Sequence, residues 1–334
     1  MATETVPAAV EPEAPKTGPQ ETPVIVRELR WEAAGVVSVL LARPDGGRLP
    51  AWQPGAHIDL LLPTGIVRQY SLCGSPSDPF AYRVAVRRDA ASRGGSEYVH
   101  AFLRPGQPLR IRGPRNHFRF EPADSYLFVA GGIGITPILP MARQAAAWGA
   151  SWQLVYAGRT AASMAFRDTL GALAPHQDAV RVYPGDEGGR MPLEALLGQA
   201  RPGTAVYACG PGPLLDAVSD GAAHLPRGTV HVERFRPRAG EGTRQDAAVE
   251  VVCARSGRTV NVAAERSVLD ALSDAGLPVA GSCRQGVCGT CETRVLEGVP
   301  DHRDGILSEE EREKGDRMYL CVSRARTPRL VLDV

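Results

Sequence analysis

Four cysteines in the last quarter of this 334-residue sequence have the spacing of iron–sulfur ligands. Cys283, Cys288 and Cys291 lie in one loop, GSCRQGVCGTC, and Cys321 follows after a further twenty-nine residues. A C-x4-C-x2-C motif with a distant fourth cysteine is the plant-type ligand pattern of a [2Fe–2S] cluster. Because such a cluster carries one electron at a time, we predict that these four thiolates bind it and that the surrounding segment is an electron carrier.

The alternatives for these cysteines are a zinc site and disulfide bonds. Structural zinc sites use two short cysteine pairs or histidine partners, whereas the second half of this pattern holds a single cysteine. Disulfides are typical of small secreted domains, and this long chain opens with no signal-peptide pattern. Seven cysteines in such a chain indicate a reducing environment, so we expect a cytoplasmic protein.

Two glycine-containing loops each follow a buried, strand-like run and are candidates for binding a dinucleotide. In FVAGGIGITPILPM, Gly131, Gly132 and Gly134 form a tight turn. Thr136 stands at the expected helix N-cap and Pro137 at the first helical position. The second loop, CGPGPL, begins at Cys209. A glycine turn alone can be mere geometry, but two such loops at the carboxyl ends of parallel strands favour a pyrophosphate site.

A third motif, RQYSL, places an arginine, an aromatic ring and a hydroxyl on one strand. Arg68 offers a phosphate partner, Tyr70 a stacking face and Ser71 a hydrogen-bond donor. Downstream, SRGGSEYVH places two glycines and Ser96 at an apparent helix start, which is a second candidate anion site. Taken alone, RQYSL could belong to an ordinary strand and RGGS could merely open a helix. If the domain binds a flavin, the two motifs together suit a terminal phosphate, as in FMN, whereas FAD would need more room for its adenosine half and a further stacking partner.

Composition indicates several domains with large cores, since 43% of the residues are hydrophobic and 22% are charged. The net charge of +1 gives no indication of nucleic-acid binding, and no apolar run is long enough for a membrane span. Residues 1–22 are rich in Pro, Glu, Ala and Thr and are predicted to be a disordered leader. Residues 237–247 have the composition of a linker.

The remaining sequence divides into three predicted domains. Residues 23–122 alternate apolar and polar residues in short runs separated by Gly and Pro, which predicts an antiparallel β-barrel. Residues 123–236 alternate strands with helices, which predicts an α/β domain with a parallel sheet. In residues 248–334 two strands and a helix precede the cysteine loop.

The motifs also occur together in the order of a known family. RQYSL, RGGS, GPRNHF, GGIGITP, CGP, HVERF and the cysteine loop follow one another within residues 24–334. On these residues the sequence resembles the phthalate dioxygenase reductase family, which includes the vanillate demethylase reductases. The resemblance implies an FMN-binding barrel, an NAD-binding domain of ferredoxin-reductase type, and a C-terminal ferredoxin domain with the α+β, β-grasp fold.

The resemblance implies roles for individual residues. Ser71 would hydrogen-bond near flavin N5 and Cys209 would lie near the nicotinamide, so these are the expected catalytic positions. Phe235 in HVERF would cover the flavin ring. The other expected flavin contacts are Arg68, Tyr70, Ala85, Val86, Arg87, Gly94, Gly95 and Ser96, with Arg87 standing where the family usually has a lysine. The other expected nucleotide contacts are Gly132, Gly134, Thr136, Gly210 and Pro211.

The expected activity is electron transfer from NADH through FMN and the [2Fe–2S] cluster to a separate oxygenase. The resemblance implies a Rieske non-haem iron oxygenase or demethylase that acts on an aromatic compound, and a cytochrome P450 is the alternative acceptor. A redox-responsive signalling protein with the same cofactors is a second class of function. Asp186 and Glu187 after the third parallel strand favour NADH, whereas Arg159 after the second would favour the extra phosphate of NADPH.

Overall fold

The computed structural model describes residues 20–89, 91–92, 94–174, 176, 178–236 and 247–334. Their strands form three large sheets, each from a different segment of the chain, and one two-stranded ribbon. None of the helices in these residues is both long and apolar enough to cross a lipid bilayer. The predicted linker lies outside the described residues except for its last residue, and so does most of the predicted leader.

The first sheet is an antiparallel barrel, as predicted. Its six strands are β1 (Glu21–Ala33), β2 (Val36–Ala42), β3 (His57–Leu61), β4 (Val67–Ser71), β5 (Ala81–Arg87) and β6 (Pro108–Arg115). They lie in the order β4-β3-β6-β1-β2-β5, and a bridge between Leu72 and Val84 joins the two outer strands. Inward-facing aliphatic side chains such as Ile58 and Leu60 fill the interior. A short helix, α1 (Gly95–Ala101), lies between β5 and β6.

The second sheet is parallel throughout, which confirms the predicted α/β domain. Its strands are β7 (Ser125–Gly131), β8 (Ser151–Gly158), β9 (Val180–Pro184), β10 (Thr204–Cys209) and β11 (Val230–Glu233), in the order β11-β10-β7-β8-β9. The helices between them are α2 (Ile135–Ala147), α3 (Arg167–Leu173), α4 (Leu193–Gly198) and α5 (Gly212–Gly221). The interior strand β10 is buried along its whole length because helices cover both faces of the sheet.

The third sheet is mixed and has the order β13-β12-β18-β14-β16. The strands of this C-terminal domain are β12 (Val249–Cys253), β13 (Arg258–Val262), β14 (Glu292–Glu297), β15 (Pro300–Asp301), β16 (Arg317–Tyr319), β17 (Arg324–Ala325) and β18 (Arg329–Leu332). Its helices are α6 (Val268–Asp274) and α7 (Glu309–Lys314), and β15 pairs with β17. The Ser267 hydroxyl begins α6 by accepting a hydrogen bond from the Asp270 backbone N–H at 3.0 Å. The cysteine loop runs from α6 to β14.

The barrel and the parallel-sheet domain share one hydrophobic core. Cys73, Ala85 and Phe118 of the barrel pack in the same core as Phe128 and Tyr207 of the parallel sheet. The Phe118 and Tyr207 rings meet edge to face with 5.6 Å between their centroids. The C-terminal domain has a separate core made only of its own residues.

The start of α2 differs from the expectation. A 3-10 turn over Gly132–Gly134 precedes the helix, so Gly134 is the N-cap and the helix begins at Ile135. The prediction of Thr136 as N-cap is therefore wrong by two residues. Thr136 lies in the first turn, where its hydroxyl donates to the Ile133 carbonyl at 2.9 Å, and Pro137 is the third helical residue instead of the first. Pro137 is tolerated there because the first-turn N–H groups have no helical partner.

The barrel begins at Glu21, two residues before the predicted boundary at residue 23. Two arginines of β6 hold the Glu21 carboxylate, Arg112 at 2.6 Å and Arg110 at 3.0 Å. These ion pairs and the pairing of β1 with β6 extend the strand into a segment whose composition predicts disorder.

Candidate functional site

The four cysteine thiols lie together in the C-terminal domain, each in contact with at least one of the others. The Cys288 thiol is hydrogen-bonded with Cys283, and the Cys321 thiol interacts with both Cys291 and Cys283. A [2Fe–2S] cluster takes four thiolates from the protein, two for each iron. Within the described ranges no group of three or more His, Cys, Asp or Glu side chains is arranged to hold a metal ion. The four contacting thiols match the number of ligands that a two-iron cluster takes.

These thiols have to lose their protons before they can bind metal. The hydrogen bond with Cys283 and the burial of the site both raise the pKa of the Cys288 thiol. Because iron binds the thiolate, cluster assembly has to release this proton. Cys288 and Cys291 are buried, whereas Cys283 and Cys321 are partly exposed, so the site has a covered side and an open side.

The loop that carries three of the cysteines depends on glycine. Gly286 and Gly289 have φ values of +67° and +73°, a region that favours glycine. A methyl group at Gly286 would come within 2.6 Å of the Val322 side chain, and one at Gly289 would overlap the imidazole of His117. Since His117 lies two residues after the end of β6, the second overlap shows that the cysteine loop packs against the barrel.

Among the expected flavin residues, the Arg68 side chain contacts the start of α1 at Gly95. A methyl group at Gly95 would come within 2.6 Å of the Arg68 Cγ atom and 2.7 Å of its Nε atom. The Arg68 side chain therefore lies across a bare stretch of backbone, where Gly94 has a φ of +85°. A guanidinium beside backbone N–H groups that no side chain covers suits a phosphate dianion.

The other expected flavin residues differ in how far their side chains are buried. Ser71 is buried at the end of β4, and burial raises the pKa of the Tyr70 phenol to about 12, so Tyr70 stays neutral at pH 7. Ala85 packs into the core shared with the parallel-sheet domain, Val86 into the barrel core, and Arg87 is exposed.

The Ser96 hydroxyl is already engaged by its neighbours. It accepts a hydrogen bond from the Asp89 backbone N–H at 3.1 Å and donates to the Ser92 hydroxyl at 3.0 Å. Its side chain therefore shapes the turn before α1, and a phosphate at this turn would meet the backbone N–H groups. Arg93, the remaining residue of the RGGS motif, lies outside the described residues.

The two glycine loops of the parallel-sheet domain are in direct contact. A methyl group at Gly134 would overlap the Cys209 carbonyl oxygen, and one at Gly131 would come within 2.6 Å of Pro211. A methyl group at Gly210 would in turn come within 3.0 Å of Gly131. The absence of side chains thus lets the ends of β7 and β10 meet, which is the edge where parallel sheets bind nucleotides. Thr136, by contrast, is only 2% exposed and lies beneath this edge.

Glu233 is a site residue that the sequence patterns did not single out. It ends β11 directly beside Cys209, its register partner at the end of β10, and its carboxylate lies 3.9 Å from the Cys209 sulfur. Burial raises the pKa of the Glu233 carboxyl to about 8, and burial together with Glu233 raises that of the Cys209 thiol. Both groups are therefore mostly protonated at pH 7. The sequence feature that could have identified Glu233 is its place in the HVERF motif, two residues before Phe235.

The chain returns from the parallel sheet to the barrel at Phe235. The Phe235 side chain is 36% exposed, and the residues on either side of it are anchored. Arg234 binds Asp216 at 2.6 Å, and Arg236 binds Asp89 of the barrel at 2.6 Å. These ion pairs hold the chain segment around Phe235 in place, and the second of them ties it to the residues that follow β5.

Two family matches cover parts of the chain. Residues 251–326 match the 2Fe-2S iron-sulfur cluster binding domain family, and residues 128–220 match the oxidoreductase NAD-binding domain family. The toluene-4-sulfonate monooxygenase system reductase subunit of Comamonas testosteroni is 42% identical over 318 residues, which are 94% of this chain and 99% of that relative.

Two solved structures extend these similarities over the whole fold. Phthalate dioxygenase reductase is 36% identical with a TM-score of 0.68, covering 94% of this chain and 98% of that one. A type IV self-sufficient cytochrome P450 monooxygenase is 44% identical with a TM-score of 0.87 over 94% of this chain. The match covers 41% of the P450 chain, so the present protein corresponds to less than half of that molecule.

Proposed function

Because this chain belongs to the phthalate dioxygenase reductase family, we propose that it passes electrons from NADH through FMN and a [2Fe–2S] cluster to a separate oxygenase. The observation that carries the proposal is the contact between the cysteine loop and β4. Gln69, the neighbour of Tyr70, donates a hydrogen bond at 2.7 Å to Ser282, the neighbour of Cys283. The segments proposed to hold flavin and cluster therefore touch.

The proposed flavin site is built by the barrel and closed by the parallel-sheet domain. When bound, a flavin accepts a hydride and releases single electrons, which links a two-electron donor to a one-electron acceptor. Arg68 and the backbone of Gly94–Ser96 would bind the phosphate, and Tyr70 and Phe235 would pack on the ring. Ser71 would hydrogen-bond to it, and Ala85, Val86 and Arg87 would line it.

The proposed nucleotide site lies at the meeting ends of β7 and β10. Gly132, Gly134, Gly210 and Pro211 would bind the dinucleotide through exposed backbone. Cys209 would lie near the nicotinamide, with the neutral Glu233 carboxyl beside it. Thr136 would not contact the dinucleotide, but its hydrogen bond to the Ile133 carbonyl stabilises the turn. The cluster would be held by Cys283, Cys288, Cys291 and Cys321, and the seven free cysteines suit a reducing cytoplasm.

The proposed acceptor is a Rieske non-haem iron oxygenase or demethylase that acts on an aromatic compound. The similarity to part of a self-sufficient P450 favours a cytochrome P450 as the second candidate acceptor. A redox-responsive signalling protein would need the cofactors but no turnover. Steady NADH-dependent reduction of cytochrome c by the purified holoprotein tests this point. A single burst that stops after one equivalent per protein would contradict the reductase function.

We expect the protein to prefer NADH to NADPH. Asp186 and Glu187 lie in an exposed turn after β9, and the Asp186 carboxylate accepts a hydrogen bond from the Ala161 N–H after β8 at 2.9 Å. These carboxylates would repel a 2′-phosphate, and Arg159 is the opposing charge. Comparing kcat/KM for the two nucleotides decides the matter, and Asp186→Ser should reduce the preference. A higher kcat/KM with NADPH would refute the assignment.

We expect the flavin to be FMN and its binding to depend on Arg68. Acid release followed by chromatography should give one equivalent of FMN per protein, and a stoichiometric FAD peak would overturn this reading of the barrel. Arg68→Ala should weaken flavin binding by about 1–3 kcal/mol, since a charged hydrogen bond to the phosphate is lost. Arg110→Ala is the control, because Arg110 is exposed and pairs with Glu21.

A further inference from the structure

Two polar residues of β3 point away from the barrel interior and are nevertheless buried. Side chains alternate along a strand, and Ile58 and Leu60 occupy the barrel core. His57 and Asp59 must therefore face outward, yet they are only 6% and 0% exposed. An outward face of a barrel strand is normally wet, so another part of the molecule has to cover this one.

The cover over His57 is the backbone of the cysteine loop. The His57 Nε2 atom lies 3.2 Å from the carbonyl oxygen of Cys288, and both residues are buried. A carbonyl oxygen only accepts hydrogen bonds, so Nε2 carries the hydrogen and donates it. One hydrogen bond thus connects the barrel directly to a residue proposed to bind the cluster.

The neighbouring polar groups hold the same loop and position His57. Gln69 donates from one amide group to Asp59 at 2.9 Å and to Ser282 at 2.7 Å. Arg115, the register partner of His57 on β6, binds Asp59 at 2.6 Å. The His117 ring lies 5.9 Å from that of His57 and fills the space beside Gly289.

His57 also reaches the proposed flavin site through the sheet. In the pairing of β3 with β4, His57 stands opposite Ser71. The backbone of β3 at His57 is therefore hydrogen-bonded into the strand that carries the expected flavin contacts, while its side chain holds the cysteine loop. Among the described residues, the bond from His57 to Cys288 is the one hydrogen bond that links the strand partner of Ser71 to a cysteine proposed to bind the cluster.

We propose that His57 is a positioning residue for electron transfer, which docks the cysteine loop on the flavin barrel by donating a hydrogen bond to the Cys288 carbonyl. The effect on electron transfer rests on the proposed function, whereas the docking of the loop by His57 does not depend on it. An apolar side chain of the same size would fill the space and leave a buried carbonyl without a donor, which is costly. Hydrogen bonding, more than volume, is thus the requirement at position 57.

The test compares His57→Phe, which fills the volume without a donor, with His57→Gln, whose amide can donate to the same carbonyl. His224→Gln is the control, because His224 is exposed and far from the loop in sequence. In the oxidised holoproteins, hydrogen–deuterium exchange is measured for peptides covering residues 282–290 and 113–118. We expect His57→Phe to speed exchange about 5- to 100-fold, the range for an orphaned buried carbonyl. His57→Gln and His224→Gln should stay near the wild-type rate.

Electron paramagnetic resonance of the dithionite-reduced proteins verifies that each variant retains its cluster. If His57→Phe fails to fold, Gln69→Leu removes the second hydrogen bond between the same surfaces and should also speed exchange. Equal exchange in His57→Phe and wild type would overturn the proposal, as would a Gln variant no better than the Phe variant.

A second readout follows the consequence for electron transfer. Rapid mixing with NADH should show that His57→Phe reduces its flavin at the wild-type rate and its cluster more slowly, with the Gln variant restoring the second rate. If the wild-type protein did not react with NADH, the proposed function would fail while the exchange result stood. If exchange changed and the cluster rate did not, docking by His57 would hold and its role in electron transfer would be excluded.

Discussion

The Cys288→Ser variant should lose NADH-dependent cytochrome c reduction down to the background rate. Cys288 is buried, is paired with Cys283, and is one of the four thiolates proposed to hold the two irons. A hydroxyl is a much poorer ligand than a thiolate. Ferricyanide can take electrons from flavin, so NADH–ferricyanide activity should survive. Iron content, the visible spectrum and the two activities measured side by side test the expectation.

The control for this variant is Cys253→Ser in the same domain. Cys253 is also a buried cysteine, but it belongs to the hydrophobic core and is not near the loop in sequence. It shares the cost of a buried hydroxyl without removing a ligand, so its iron content should match the wild type. Cytochrome c reduction at the wild-type rate in Cys288→Ser would show that electrons do not pass through the cluster in series.

The Gly134→Ala variant should have a large defect on the NADH side of the molecule. The added methyl group would overlap the Cys209 carbonyl oxygen, so the two nucleotide loops would have to separate. Overpacking of this kind costs about 1–3 kcal/mol, which corresponds to roughly a 5- to 150-fold loss in kcat/KM for NADH. Flavin content and reduction of the cluster by dithionite should be unchanged, because the cluster lies in the C-terminal domain and the proposed flavin contacts other than Phe235 lie in the barrel.

Gly171→Ala is the matched control for the glycine substitution. Gly171 lies in helix α3 of the same domain, and a methyl group there would meet no atom within 4 Å. Alanine also has the higher helix propensity, so this variant should be as active as the wild type. Equal kcat/KM values for NADH in the two alanine variants would show that the contact between the loops is not needed for nucleotide binding.

Local patterns were enough to predict the fold class and the iron–sulfur domain. The spacing of Cys283, Cys288 and Cys291 is a property of one loop, and the match of residues 251–326 to a cluster-binding family confirms the domain. Strand alternation predicted the barrel, and the strand–helix rhythm predicted the parallel sheet. In each case the information lies within a few neighbouring residues, where the period of apolar side chains determines the structure.

The errors and omissions lie where distant segments meet. Thr136 looks like an N-cap, but Gly134 takes that place in a turn that packs on the carbonyl of Cys209, about seventy-five residues away. Glu233 is half-buried, and its carboxyl becomes mostly neutral because β11 lies beside β10. His57 reads as an outward strand residue until the cysteine loop covers it. Such roles depend on tertiary contacts that no local pattern contains.

The core shared by the barrel and the parallel-sheet domain has a consequence for how the molecule melts. Cys73, Ala85 and Phe118 cannot be exposed without also exposing part of the packing around Tyr207, so these two domains unfold as one cooperative unit. The C-terminal domain has its own core and meets the barrel through polar groups, so it can lose its structure independently. The three structural domains therefore form two cooperative unfolding units, and calorimetry of the holoprotein should show two transitions.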